Sequence, residues 1–269
     1  MCLLAITLPA LMAVATGARA ADRLTLYAAG SLKAALGDIA KAYEEAYGTP
    51  VGTDFAASGL LRERIEAGER PDMFASANMA HPQALMVKGL GGPVVLFARN
   101  HLCALAQPDR EVATASIMDV MLRDDVRLGT STPRADPSGD YAWELFDKAE
   151  ILRPGSFAKL DAKALQLTGG PNSAKPPEGR NTYAWVMEQR QADLFLTYCT
   201  NALLAQKEVA DLRIVSLPDE LSVGADYGLI VRDGAPPEAS RLALFILSPA
   251  GQRILAGYGF TSGALPHEG

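Results

Sequence analysis

The 269-residue chain is poor in residues that build metal centres, with three histidines and three cysteines and no C-x-x-C pair. His81, His101 and His267 stand far apart, so no zinc-type ligand spacing exists and no metal or cofactor is expected. Clusters of Lys and Arg longer than two residues are absent, and the formal net charge is −6. That excludes the basic stripe required by nucleic acid or an anionic membrane surface. It does not exclude a small anion, because a single site on an acidic protein can be locally electropositive. No G-x-S-x-G elbow occurs, which argues against a serine hydrolase of that architecture. Repeats at solenoid periods are missing too. What remains is a globular composition, 49% hydrophobic and 21% charged, long enough for one large or two medium domains.

The N-terminus carries an apolar run, residues 3–15, followed by Ala18-Arg19-Ala20, a small-x-small cleavage pattern. Residues 1–20 therefore read as a signal peptide, too short to span a membrane as a mature helix. Only Met1 and Cys2 precede the run, so a basic n-region is missing, as would follow if the natural start lay upstream. Cys2 is not placed as a lipoprotein cysteine would be. The expectation is a secreted, periplasmic protein. The mature chain then keeps Cys103 and Cys199, which read equally well as one disulfide or as two buried thiols in strands.

From residue 24 onward short apolar runs alternate with amphipathic stretches. Strands are expected at 24–29, 51–56 and 72–76, with helices at 32–47 and 59–67 between them. This alternation predicts a parallel sheet with right-handed crossovers. A Gly-rich break at 89–93 leads into apolar runs 94–98 and 102–106, suited to a strand that crosses between lobes. The pattern then restarts, with helices at 116–122, 141–149 and 181–189 and strands at 127–130 and 193–198. Residues 167–179, "LTGGPNSAKPPEG", read as a loop. A strand at 226–232 and helices at 237–247 and 249–258 close the chain. The expected architecture is α/β and two-lobed. Residues 21–97 and 224–269 form one lobe, 98–223 the other, and two hinge strands run between them.

Two strands end alike: Ala28-Ala29-Gly30-Ser31 and Ala56-Ala57-Ser58-Gly59, each followed by a helix. Strand-to-helix loops of a parallel sheet share one edge, where ligands bind. Serine there can cap the helix, or can join the helix amides in holding an anion. Gly30 and Gly59 let a ligand approach the backbone. Taken singly, each serine is more simply a cap; the repetition favours a site. Asp136-Pro137-Ser138-Gly139 is a third such junction, read otherwise as a turn capped by Asp136 or Ser138. Arg180 and Asn181 open a further helix, and the Arg180 guanidinium suits an oxyanion, although a solvated loop arginine is the simpler reading. Tyr198 ends a strand and reads as a core tyrosine or a hydroxyl donor. Nearly all these groups are donors, which suits a fully deprotonated oxyanion.

The segment "LYAAGSLKAALGDIAKAYEEAYGTPVGTDFAASGLLRERIEAGERPDMFASAN" closely resembles the start of periplasmic molybdate/tungstate-binding proteins of ABC importers. Further matches are Asp136 to Gly139, Leu196-Thr197-Tyr198 and the terminal "SPAGQRILAGYGF". The resemblance covers nearly the whole mature chain. It implies a type II periplasmic-binding fold that closes on a tetrahedral oxyanion without metal or covalent chemistry, a membrane permease as partner, and a monomeric receptor. It places the binding hydroxyls and amides on Ser31, Ser58, Ser138 and Tyr198, with a helix-start amide at Arg180. Two features depart from the family: the long loop before Gly179, and a charged residue at position 180. They leave open another anion held through Arg180, such as sulfate, a phosphorylated metabolite or a small carboxylate. The adjacent-tyrosine arrangement of ferric-ion receptors is absent.

Overall fold

The computed structural model describes residues 23–261. The expected signal peptide at 1–20, and His267, lie outside them. The chain opens with β1 (Leu24–Ala29), a 3-10 turn (Gly30–Leu32), α1 (Lys33–Tyr47), β2 (Val51–Ala56), α2 (Ser58–Glu66), β3 (Met73–Ser76) and α3 (Ala80–Val87). In α1 the residues spaced three and four apart (Ala35, Leu36, Ile39, Ala40 and Tyr43) are the buried ones, so one apolar stripe fixes the helix against the sheet. β1 pairs in parallel with β2 and with β3, giving the order β2-β1-β3.

β4 (Val95–Ala106) is a single strand of 12 residues. Its first half pairs antiparallel with β9 (Gly224–Val231), which also pairs antiparallel with β3. Its second half pairs with β7 (Leu194–Tyr198) and β8 (Arg213–Ser216). One continuous strand thus belongs to both sheets. The polar triplet Arg99-Asn100-His101 lies where β4 passes between them, and it is what divides the apolar pattern in the sequence. β5 (Leu128–Ser131) and β6 (Leu165–Thr168) complete the second sheet in parallel beside β7.

The helices of this half are α4 (Ile117–Met121), α5 (Pro137–Leu152), α6 (Ser156–Lys163), α7 (Thr182–Glu188) and α8 (Cys199–Glu208). α9 (Pro237–Leu247) and α10 (Pro249–Gly257) close the chain. Several readings are corrected here. α3, α6, α8 and β8 are elements where none was expected, and residues 167–168 belong to β6 rather than to the loop. α5 starts at Pro137, not at 141, because Asp136 caps it and proline is well suited to a first helical position. The main core is continuous across both halves, with Leu26, Tyr43, Phe97, Leu102, Leu196 and Tyr227 in one cluster. Cys103 of β4 and Cys199 at the start of α8 are joined by a disulfide, Cα to Cα 4.9 Å.

Candidate functional site

A cavity of about 1150 Å³ opens between the first sheet's strand-to-helix edge and the β6–α7 loop with β7 and α8. Its wall includes Gly30, Ser31, Ser58, Arg180, Asn181 and Tyr198. The structure therefore brings together residues from four separate junctions. Gly59 and Ser138 are buried beside it and are not part of its wall.

Neither serine caps its helix. Ser31 sits inside the 3-10 turn and Ser58 is the first residue of α2, and no side chain caps either element. The Ser31 hydroxyl instead lies 3.1 Å from the hydroxyl of Tyr227. Asn100 Nδ2 donates to Tyr227 Oη at 3.3 Å. Tyr227 can then give its own proton to Ser31, which leaves the Ser31 proton free to donate. Ser58 Oγ accepts from the Ala77 amide at 3.1 Å, and its own proton is likewise left over. Tyr198 differs, because its hydroxyl donates to the Ala77 carbonyl at 3.2 Å. Ala77, just after β3, is thus gripped by a serine of α2 and a tyrosine of the second sheet.

The second sheet approaches closely. The Gly59 amide donates to the Ala135 carbonyl at 2.8 Å, so the start of α2 touches the loop before α5. There Asp136 caps α5, its Oδ1 accepting from the Ser138 amide at 3.0 Å. The Ser138 hydroxyl is fully buried and has no partner among the described residues. Arg180 does not offer its guanidinium to the cavity as a free cation. It is engaged by Glu208 and, at 2.8 Å, by Glu188. The Arg180 amide closes a turn onto the Pro177 carbonyl, and the Asn181 amide donates to Glu208 at 2.8 Å. The Asn181 side chain caps α7, accepting from the Tyr183 and Ala184 amides at 3.0 Å.

The family profile for bacterial extracellular solute-binding proteins matches residues 24–261. The chain belongs to that family. An uncharacterized protein of Pasteurella multocida is 37% identical to this solute-binding protein over 241 residues, covering 88% of this chain and 98% of its own. The molybdate-binding protein ModA of Escherichia coli is 28% identical over 250 residues, 89% of each chain. Among solved structures, the periplasmic molybdate-binding protein of Azotobacter vinelandii superposes with a TM-score of 0.71 over 91% of this chain and all (100%) of its own, at 17% identity. The fold is the two-lobed α/β type II periplasmic-binding fold, with β4 shared by the two sheets.

The electrostatics of this solute-binding protein's cavity are set by burial. Burial pushes the Asp136 carboxyl up to about 6, against the opposing hydrogen bonds from Ser138 and Ser131. Burial also raises the Tyr183 phenol to about 12 and the Tyr198 phenol well above its usual range, so both stay protonated donors. Sequence reasoning treated Asp136 only as a helix cap, and it missed Ala77 and Tyr227. The motif around Ala77 was visible as "PDMFASAN", but nothing local tells that its amide and carbonyl are the shared anchor. Tyr227 sits in an ordinary apolar strand and is recognisable only from its contact with Ser31.

Proposed function

We propose that this chain is the solute receptor of an ABC importer, capturing a tetrahedral oxyanion between its lobes and delivering it to a membrane permease. Molybdate or tungstate is the favoured ligand. The observation that carries this reading is the pair Ser31 and Ser58: both line one cavity, Ser58 keeps its hydroxyl proton after accepting from Ala77, and Ser31 keeps its own when Tyr227 donates to it. Such donors suit an ion that only accepts, and the relatives named as molybdate-binding proteins support the same choice. In this reading Ser31, Ser58, the amides near Gly30, Gly59 and Ser138, and Tyr198 form the binding set. Residues 21–97 and 224–269 make one lobe and 98–223 the other, and closure is a hinge motion on β4 and β9. The receptor acts as a periplasmic monomer after cleavage of residues 1–20. The Ser31 hydroxyl has a tyrosine for a neighbour rather than an imidazole, so it lacks the base that activates a nucleophile; binding, not turnover, is the function.

One feature favours a larger anion. The cavity of about 1150 Å³ exceeds what a single tetrahedral oxyanion fills, and the long β6–α7 loop forms part of it. A phosphorylated metabolite or small carboxylate would use that space, though not through Arg180, whose charge two glutamates already balance. A thermal-unfolding panel separates the readings. Molybdate and tungstate at about a hundredfold their Kd should stabilise the protein by about 2.7 kcal/mol, with sulfate inert. A response confined to phosphorylated or carboxylate compounds would transfer the assignment to the larger anion, and a flat panel would overturn both.

A further inference from the structure

The amide of Ser138, the second-lobe donor of the proposed binding set, already holds an anion: the carboxylate of Asp136, at 3.0 Å. Asp136 lies on the cavity wall beside Ser58, Ala77 and Tyr198. Its other face packs against Gly169, where even a methyl group would collide with Oδ2. The carboxylate therefore has little room to swing aside when a ligand arrives. Among the described residues no Lys or Arg pairs with it. A doubly charged oxyanion that reached the Ser138 amide would meet this carboxylate at close range.

We propose that Asp136 is a ligand-contacting, specificity-determining residue, and that capture of a fully deprotonated oxyanion is coupled to uptake of one proton by its side chain. This rests on the oxyanion-receptor reading above. The protonated carboxyl removes the repulsion and supplies an O–H donor to the anion. The balance is one proton taken from solvent per anion bound, with no bond made or broken elsewhere. The groups facing Asp136 leave it as the one that titrates. On α5 its neighbour is Asp140, also raised, chiefly by burial. From α7, β7 and β9 come the phenols of Tyr183, Tyr198 and Tyr227, all raised by burial and neutral at physiological pH. α2 presents Ser58 and Gly59, and its Arg64 is tied to Asp54 and Glu69. Burial already holds the Asp136 carboxyl at about 6, so a second negative charge beside it would carry its protonation through neutral pH.

Two measurements test this with molybdate and tungstate as probes. Calorimetric titration at about neutral pH, in buffers of different ionisation enthalpy, should show the wild-type protein taking up close to one proton per anion. Wild-type affinity should fall about tenfold per pH unit between about pH 6.5 and pH 8. Asp136→Asn keeps a good helix cap and presents a neutral side chain at every pH. It should bind with an affinity that changes less than about twofold over that range, with no proton uptake. Wild-type binding without proton uptake, or an equal slope in Asp136→Asn, would overturn the role of Asp136 while leaving the receptor reading intact. No binding by either protein at any pH overturns the oxyanion reading together with this inference.

Discussion

At the scale of single residues, the site turns on what each hydroxyl does with its proton. Ser58 accepts from the buried Ala77 amide, and Ser31 shares a hydrogen bond with Tyr227, so both remain able to donate. Replacing either serine by alanine removes one neutral donor to a charged ligand. Ser31→Ala and Ser58→Ala should each lower molybdate affinity by roughly tenfold to a hundredfold, about 1.5–3 kcal/mol. The two should differ in stability. Ser58→Ala also leaves the Ala77 amide without its partner in a buried place, at a further cost of about 1–3 kcal/mol. Ser31 is half-buried and its loss orphans no backbone group, only the Tyr227 hydroxyl beside it, so urea unfolding should shift less than for Ser58→Ala. Equal molybdate affinity in both variants and wild type would remove these residues from the site. The junctions themselves were legible, because two runs of small residues before a serine repeat at the end of two strands. Which partner each hydroxyl chooses was not legible, since Ala77 and Tyr227 arrive from distant segments. Asp136 was harder still. In the string Asp-Pro-Ser-Gly it is an ordinary cap, and only the folded chain places its carboxylate on a cavity wall.

Between elements, the decisive contact is the meeting of α2 with the loop before α5. Gly59 donates to the Ala135 carbonyl at 2.8 Å, and a side chain at position 59 would run into the carbonyl oxygens of Arg134 and Ala135. Those atoms are backbone, so they cannot rotate away. Gly59→Ala therefore pushes the two lobes apart at the cavity. Position 59 lies in the first turn of α2, so alanine's helix-interior advantage over glycine offsets little of that clash. The expected outcome is lower molybdate affinity, by about tenfold, in a protein whose thermal unfolding without ligand is also lowered. Wild-type affinity in this variant would show that α2 and the α5 loop need not touch in the bound form. Element reading succeeded where the period was strong, as in α1, whose stripe of Leu36, Ile39 and Tyr43 is fully buried. It failed at α8, which follows β7 without any Gly or Pro to mark the boundary. The crossing strand expected over the apolar runs 94–98 and 102–106 is β4, continuous through Arg99-Asn100-His101 where it passes between sheets.

Across the whole molecule, β4 is the common member. It pairs with β9 in one sheet and with β7 and β8 in the other, and its Cys103 is bonded to Cys199 across 96 positions of sequence. A crosslink that closes so long a loop restricts the unfolded chain strongly, and in the chain-entropy account it is worth about 2–4 kcal/mol. For a protein of this size each kcal/mol corresponds to about 2–4 °C in Tm. Replacing both cysteines by alanine should thus lower Tm by about 5–15 °C. A dithiol reductant should produce a similar drop in the wild-type protein and none in the variant. The anion site should respond differently. Cys199 adjoins Tyr198, but the β4–β7 ladder pairs Leu102 with Tyr198 directly, and the tyrosine hydroxyl is anchored on Ala77. Those contacts hold the ring without the sulfur bridge, so molybdate affinity of the folded double variant should stay within about threefold of wild type. A loss of affinity as large as that of the serine variants would instead make the disulfide part of the binding apparatus, positioning Tyr198 rather than only bracing the fold.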